Sequence, residues 1–242
     1  MRLTRVYVEE KLAAGKSCVI EGSAANHIMR VLRLRDGDAL TLFDGHGGEY
    51  GARITGFSRD SVQVGVQEHR DVERESRLDL TLAQGISRGE RMDWVMQKAT
   101  ELGVARIVPV ITERTVVKLD ERQSARKVEH WRGIVIAACE QSGRNRVPEV
   151  TAPRAFHEVL REDARAGRKL LLSPVGSLNA RDLALTGTAT LLVGPEGGLS
   201  PGEQDLAIGA GFEQVRMGPR ILRTETAAIA ALTIFQHDFG DL

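Results

Sequence analysis

Apolar positions along the first seventy residues recur at spacing two or in short runs. They predict strands at Arg5–Val8, Ser17–Ile20, Ala39–Phe43, Gly51–Ile54 and Ser61–Val66, separated by turns at Asp36-Gly37-Asp38 and Asp44-Gly45-His46-Gly47-Gly48. One interruption has helical spacing: Ala24–Leu34 places Ile28, Val31 and Leu32 on one face and predicts a regular helix. Beyond a charged stretch, Asp71–Arg77, the pattern changes to strands alternating with helices. Strands are expected at Leu78–Ala83, Arg106–Ile111, Leu170–Leu172, Leu191–Val193 and Gln214–Met217. Helices are expected at Arg91–Leu102, Ser124–Cys139, Pro201–Ala210 and Thr226–Phe235. The fold class is therefore α/β, with a small β-rich part over residues 1–72 and a mainly parallel α/β domain over residues 73–242.

Two places stand out as chemistry. Leu191–Val193 runs into Gly194-Pro195-Glu196-Gly197-Gly198-Leu199-Ser200-Pro201, and Gln214–Met217 runs into Gly218-Pro219-Arg220-Ile221-Leu222-Arg223-Thr224-Glu225-Thr226. Buried strands that open into glycine-rich loops are how α/β sheets build ligand sites at their carboxyl edges, and two such edges predict one site lined by both loops. Ser200-Pro201-Gly202-Glu203 reads as a capping box with proline in the first turn, which sets a helix start. No Walker or dinucleotide fingerprint is present, which removes the usual kinase and dehydrogenase readings. Glu196 disfavours a phosphate and suits a neutral or cationic ligand; a tight turn with no ligand is the other reading of this loop. In the second loop, Arg220, Arg223 and Glu225 crowd between a buried strand and an apolar helix, as site residues do. Thr224 alternatively serves as an N-cap there, with Glu225 in the first turn.

Composition narrows the picture little. The 242 residues are 42% hydrophobic and 27% charged, with zero formal net charge. That balance lacks the basic excess of many nucleic-acid binders, although the cations are 27 Arg against 6 Lys, and Arg suits planar contacts with phosphate and bases. In the β-rich part, His27, Arg30, Arg33 and Arg35 form either an RNA-facing surface or a solvated face balanced by Asp36 and Asp38. Cys18 and Cys139 lie far apart, which argues against a disulfide framework or a zinc site. No apolar run approaches the roughly 20 residues that cross a bilayer. The opening Met1–Arg5 has no signal-peptide core, so a cytoplasmic, membrane-free protein is expected.

Four phrases carry a resemblance over nearly the whole chain: Ser87-Arg88-Gly89-Glu90-Arg91, Glu140-Gln141-Ser142-Gly143-Arg144, Gly194-Pro195-Glu196-Gly197-Gly198 and Leu222-Arg223-Thr224-Glu225-Thr226-Ala227. With Asn26-His27-Ile28, Val31-Leu32-Arg33 and Gly37-Asp38, they resemble the bacterial 16S ribosomal RNA uridine N3-methyltransferases of the SPOUT superfamily. The resemblance implies a PUA-like RNA-binding β-barrel followed by a domain with a deep trefoil knot. It implies a homodimer that binds S-adenosylmethionine, releases S-adenosylhomocysteine and needs no metal. The substrate implied is 16S ribosomal RNA, in the small ribosomal subunit.

Carried onto this sequence, the cofactor loops are Leu172, Ser173 and Pro174; Val193 through Leu199 (Gly194, Pro195, Glu196, Gly197 and Gly198 between them); and Met217, Gly218, Ile221, Leu222, Thr224 and Ala227. Glu225 is the candidate to accept or orient the N3 proton, and Arg223 and Arg220 are candidates for charge stabilisation. Arg5, His27, Arg30, Arg33, Arg88 and Arg91 are expected to grip RNA, with Arg144 nearer the target base. Two other readings remain open: a knotted methyltransferase acting on another RNA, and a catalytically silent RNA-binding or assembly protein.

Overall fold

The structure is a computed structural model that describes residues 4–116, 120–161 and 167–242. The chain divides into two compact units. The first comprises Met1–Glu75 with Cys139–Val147, the second Ser76–Ala138 with Pro148–Leu242.

In the first unit, strands β1 (Thr4–Tyr7), β2 (Ser17–Glu21), β3 (Ala39–Phe43), β4 (Glu49–Phe57) and β5 (Ser61–Arg70) form a sheet in the order β1-β3-β4-β5-β2. Alternation makes its core: in β2, Cys18 and Ile20 point inward while Ser17, Val19 and Glu21 face out. Leu40, Leu42, Ile54, Val62 and Val64 meet them there, with Ala25 and Ile28 from the helical segment.

That segment departs from the expected regular helix. Helix α1 (Gly22–Asn26) passes into a π-helical turn, His27–Leu32, in which the Arg33 N–H reaches the Ile28 carbonyl. The wider spacing rotates the later residues off the core face, so Val31 is 66% exposed and Leu32 lies at the surface. Arg33 ends the turn in the left-handed region, at φ 53° and ψ 41°.

Cys139–Val147 belongs with this unit for an ionic reason. The buried Arg5 guanidinium donates to Glu49 Oε2 (2.5 Å), Asn145 Oδ1 (2.6 Å) and the Arg144 carbonyl (3.1 Å), and lies over the Phe43 ring. Arg74 joins Glu49 Oε2 (3.1 Å) to the Gly143 carbonyl (2.9 Å), and Arg144 pairs with Glu75 through both Nε and Nη2. A single cut after residue 72 therefore leaves out a segment that the buried charges hold in the first unit.

The second unit is built on strands β6 (Asp79–Gly85), β7 (Arg106–Ile111), β8 (Glu149–Val150), β9 (Arg154–Ala155), β10 (Arg168–Leu172), β11 (Leu178–Asn179), β12 (Thr188–Val193) and β13 (Glu213–Arg216). They run parallel in the order β11-β13-β10-β12-β6-β7-β8, with β9 beside β7. Helices α2 (Glu90–Glu101), α3 (Glu121–Ser142, as far as Ala138), α4 (Phe156–Arg161), α5 (Pro201–Gly209) and α6 (Thr224–Phe239) complete it. The central strands are buried on both faces, which is why they read as continuous apolar runs rather than alternating ones. Leu82, Leu191 and Leu170 align across three strands on one face, and Ala83, Leu192 and Leu171 on the other.

This order places the carboxyl ends of β12, β10 and β13 side by side. Three loops that are distant in sequence therefore leave one edge of the sheet.

Candidate active site

A cavity of 550 Å³ lies where those loops converge, within the size range of small-molecule sites. Leu172, Ser173 and Pro174 form one wall, Val193–Leu199 the second, and residues from Met217 to Ala227 the third. Arg91, Leu171, Gln204 and Val215 also line it. The sequence gives no sign that Gln204 belongs here. It sits one turn into α5 and reaches back to the Leu199 carbonyl (3.3 Å).

Backbone geometry shapes the walls. Ser173 N donates to the Val215 carbonyl (3.0 Å), which anchors the first loop to β13. In the second, Gly198 N donates to the Pro195 carbonyl (2.8 Å) in a turn that puts Gly198 at φ +67°. A Cβ on Gly85 would lie 2.4 Å from Pro195 N, so only glycine allows β6 to approach this loop so closely. The expected capping box is present: Glu203 N donates to Ser200 Oγ (3.2 Å) and Ser200 N to Glu203 Oε2 (2.9 Å), with Pro201 opening the helix.

Thr224 does something other than capping. Arg223 occupies the N-cap position and makes no side-chain cap. The buried Thr224 hydroxyl instead donates to the Gly194 carbonyl (2.6 Å) and accepts from Gln84 Nε2 (2.8 Å). The second and third loops are thereby linked.

The charged groups are distributed unevenly. Glu225 is largely buried; its Oε1 lies 3.9 Å from Arg91 Nε, and its Oε2 is buried with no partner among the described residues. The buried Ser173 Oγ is likewise without a partner. Arg220 and Arg223 are exposed at the rim beside Ile221, itself 82% exposed. Glu196 Oε1 accepts from Arg88 N (2.9 Å) and Arg91 Nη1 (2.9 Å). Partial burial would raise the Glu196 carboxyl, but these hydrogen bonds and the Arg91 charge outweigh it and hold the group below its usual range. Glu196 therefore fastens the glycine-rich loop to the start of α2 through one carboxylate oxygen.

The expected RNA-gripping residues separate into two sets. His27, Arg30, Arg33, Arg88 and Arg91 are exposed. The Arg5 and Arg144 side chains are instead enclosed in the ionic network of the first unit, where Glu49 and Glu75 take their guanidinium groups. Among the described residues, no group of three or more His, Cys, Asp or Glu is placed to hold a metal, and no helix is long and apolar enough to cross a membrane.

A parallel sheet whose adjacent carboxyl edges open on a cavity is where α/β enzymes place their ligands, and the loops rather than the fold decide which ligand is held. The chain belongs to the RNA methyltransferase family: the profile described as "RNA methyltransferase domain" matches residues 74–236, and that of an "RNA methyltransferase PUA domain" matches residues 20–67. It is 33% identical to ribosomal RNA small subunit methyltransferase E of Buchnera aphidicola subsp. Schizaphis graminum over 242 residues, covering 100% of this chain and 98% of the relative. The enzyme of that name from Bacillus subtilis is 32% identical, with 98% and 94% covered. Among solved structures, the Neisseria gonorrhoeae ribosomal RNA small subunit methyltransferase E bound to S-adenosyl methionine has a TM-score of 0.92 at 38% identity. A putative methyltransferase from Legionella pneumophila, in complex with its bound cofactor SAM, reaches 0.97 at 44%; both alignments cover 100% of each chain. The resemblance read from the sequence motifs is borne out at the level of the family.

Proposed function

We propose that this chain transfers the methyl group of S-adenosylmethionine to N3 of a uridine in 16S ribosomal RNA, with the small ribosomal subunit as substrate and a homodimer as the working form. The observation that carries the reading is the meeting of three strand-end loops around a cavity whose lining includes Ser173 and Glu225, each with a buried polar atom that has no hydrogen-bond partner among the described residues. The residues suit this cofactor. Backbone groups of the three loops offer donors and acceptors to an adenosyl group, Leu171, Val193 and Leu199 offer apolar walls, and Glu225 favours a cationic centre. Bound there, the cofactor supplies an electrophilic methyl group on a sulfonium and leaves as S-adenosylhomocysteine.

The protein's own tasks follow from the nucleophile. Uracil N3 is weak until its proton leaves, so the base must be held in line and deprotonated. The Glu225 carboxylate accepts that proton, with Arg91 Nε 3.9 Å from its Oε1. Arg223 and Arg220, at the rim, balance the negative charge that spreads onto the uracil carbonyl oxygens. His27, Arg30 and Arg33 of the PUA-like part, residues 1–72, together with Arg88, contact RNA backbone.

The test is to incubate the pure protein with small ribosomal subunits lacking the modification and with methyl-labelled S-adenosylmethionine, then to identify the labelled nucleoside. N3-methyluridine from one site is the expected product. A different methylated nucleoside overturns the substrate, and cofactor binding without label overturns the catalytic reading.

A further inference from the structure

We propose that Arg114, outside the cavity and unassigned by any motif, is a positioning residue that holds the cofactor loop in its binding conformation. The inference rests on the reading that the cavity binds S-adenosylmethionine.

After β7 the chain makes a compact turn, in which Thr115 N donates to the Thr112 carbonyl (3.1 Å) and Thr112 N to Thr115 Oγ1 (2.9 Å). Two bonds leave this turn for the glycine-rich loop. Glu113 N donates to Glu203 Oε1 (2.9 Å), whose other oxygen accepts from Ser200 N, and Arg114 Nη1 donates to the Gly197 carbonyl (2.8 Å). The Arg114 stem also lies flat on Gly197: a Cβ at that glycine would sit 3.2 Å from Arg114 Cβ and 3.4 Å from Cδ.

Besides the Glu196 carboxylate, held by Arg88 and Arg91, three ties fix the loop. Thr224 holds the Gly194 carbonyl, Arg114 the Gly197 carbonyl, and the Glu203 carboxylate the Ser200 amide. Thr224 and Glu203 are buried and their loss disturbs the core, whereas Arg114 is exposed. Gly197 and Gly198 are adjacent, and glycine pairs have the most backbone freedom to lose. A loop already held in shape leaves less ordering to be done when the ligand arrives, so the Arg114 contact favours cofactor affinity. Since Arg114 itself does not line the cavity, it acts through Gly197 rather than on the reacting atoms.

Calorimetric titration with S-adenosylmethionine and initial rates on small subunits, for wild type, R114A and R114K, decide it. R114A is expected to weaken the cofactor Kd and KM by about tenfold or more, with kcat at saturating cofactor and the RNA KM within about twofold. R114K, which keeps the stem and a donor, falls between, and the urea midpoint of the ligand-free protein stays that of wild type. An R114A Kd equal to that of wild type overturns the proposal while the cavity reading stands. A raised RNA KM with unchanged cofactor Kd overturns it in favour of an RNA contact, and a fallen urea midpoint with no recovery in R114K overturns it in favour of a general folding role. Wild type that binds no S-adenosylmethionine overturns the cavity reading and removes the ligand Arg114 is said to serve.

Discussion

The Thr224 hydroxyl stands 2.6 Å from the carbonyl oxygen of Gly194, a residue 30 positions earlier, and accepts the Gln84 amide at 2.8 Å. One buried oxygen thus joins the start of α6, the end of β12 and the end of β6. Thr224→Val keeps the shape and removes both bonds, leaving a buried carbonyl short of its partner. The cost expected is about 1–3 kcal/mol of unfolding free energy, with a weaker cofactor Kd because two walls lose their link. Thr224→Ser restores most of both. Urea unfolding and calorimetric titration check it; a Val variant as stable as wild type removes the linking role.

Glu225 is expected to separate binding from chemistry. Glu225→Gln keeps volume and hydrogen bonding but cannot accept the N3 proton. It should lower kcat by about 10²–10⁴-fold while still binding cofactor. Full turnover in the variant would sink the acid–base assignment.

What the sequence made legible was local. The Ser200–Glu203 capping box needs four neighbouring residues and was readable from them, as were the double-sided apolar runs of β6, β7 and β12. The two-residue strands Glu149–Val150, Arg154–Ala155 and Leu178–Asn179 are too short to carry a period, and none was anticipated. The misread residues owe their state to distant partners. Arg5 meets Glu49 across 44 positions and Arg144 meets Glu75 across 69, so two cations that look available in sequence are internal counterions. Arg114 carries no motif at all, and its relation to Gly197 spans 83 positions. That the Gly194–Ser200 and Gly218–Thr226 loops line one site was readable from their strand-and-loop pattern, whereas the place of Leu172–Pro174 beside them follows from the strand order.

The Arg5–Glu49–Arg74 cluster predicts acid sensitivity in the first unit. Burial alone would raise Glu49; hydrogen bonds from Arg5 and Arg74 outweigh it and hold the carboxyl below its ordinary value of 4.5. A depressed folded pKa contributes stability that is fully present above the unfolded value and is lost as pH falls through the folded one. At pH 7, Glu49→Gln is expected to cost about 3–5 kcal/mol, since it leaves the buried Arg5 charge uncompensated. Below the ordinary value of 4.5 the gap should narrow, and it should close as pH falls through the lowered folded value and wild-type Glu49 protonates. Urea titrations of both proteins at neutral and acid pH measure it; a constant gap would place the stabilisation elsewhere.

Both thiols should be silent in the native protein. Burial, with a small contribution from Glu10, pushes Cys18 up to about 11, and burial dominates in pushing Cys139 up to about 12. Neither is then measurably thiolate near pH 8. An aromatic disulfide reagent should titrate no thiol under native conditions and two after unfolding. Rapid native reaction of either would mean that its surroundings open on the timescale of the assay.

Arg33 offers the sharpest separation of stability from function. It is the one non-glycine residue among those described with a positive φ, at 53°, and it is fully at the surface beside exposed Arg30. The left-handed conformation costs a residue with a Cβ about 1–2 kcal/mol, a strain that glycine does not carry. Arg33→Gly should therefore keep or raise the urea midpoint, by up to about 1 kcal/mol after the entropy glycine adds to the unfolded chain. If Arg33 is held there to meet phosphate, the same variant should raise the RNA KM and flatten its dependence on salt, with cofactor Kd unchanged. Arg33→Asn, which tolerates the left-handed region without the charge, should weaken RNA equally and so show that charge, not backbone shape, is what the RNA meets. A glycine variant that is more stable and methylates with the wild-type RNA KM would show that the strain at Arg33 serves no RNA contact.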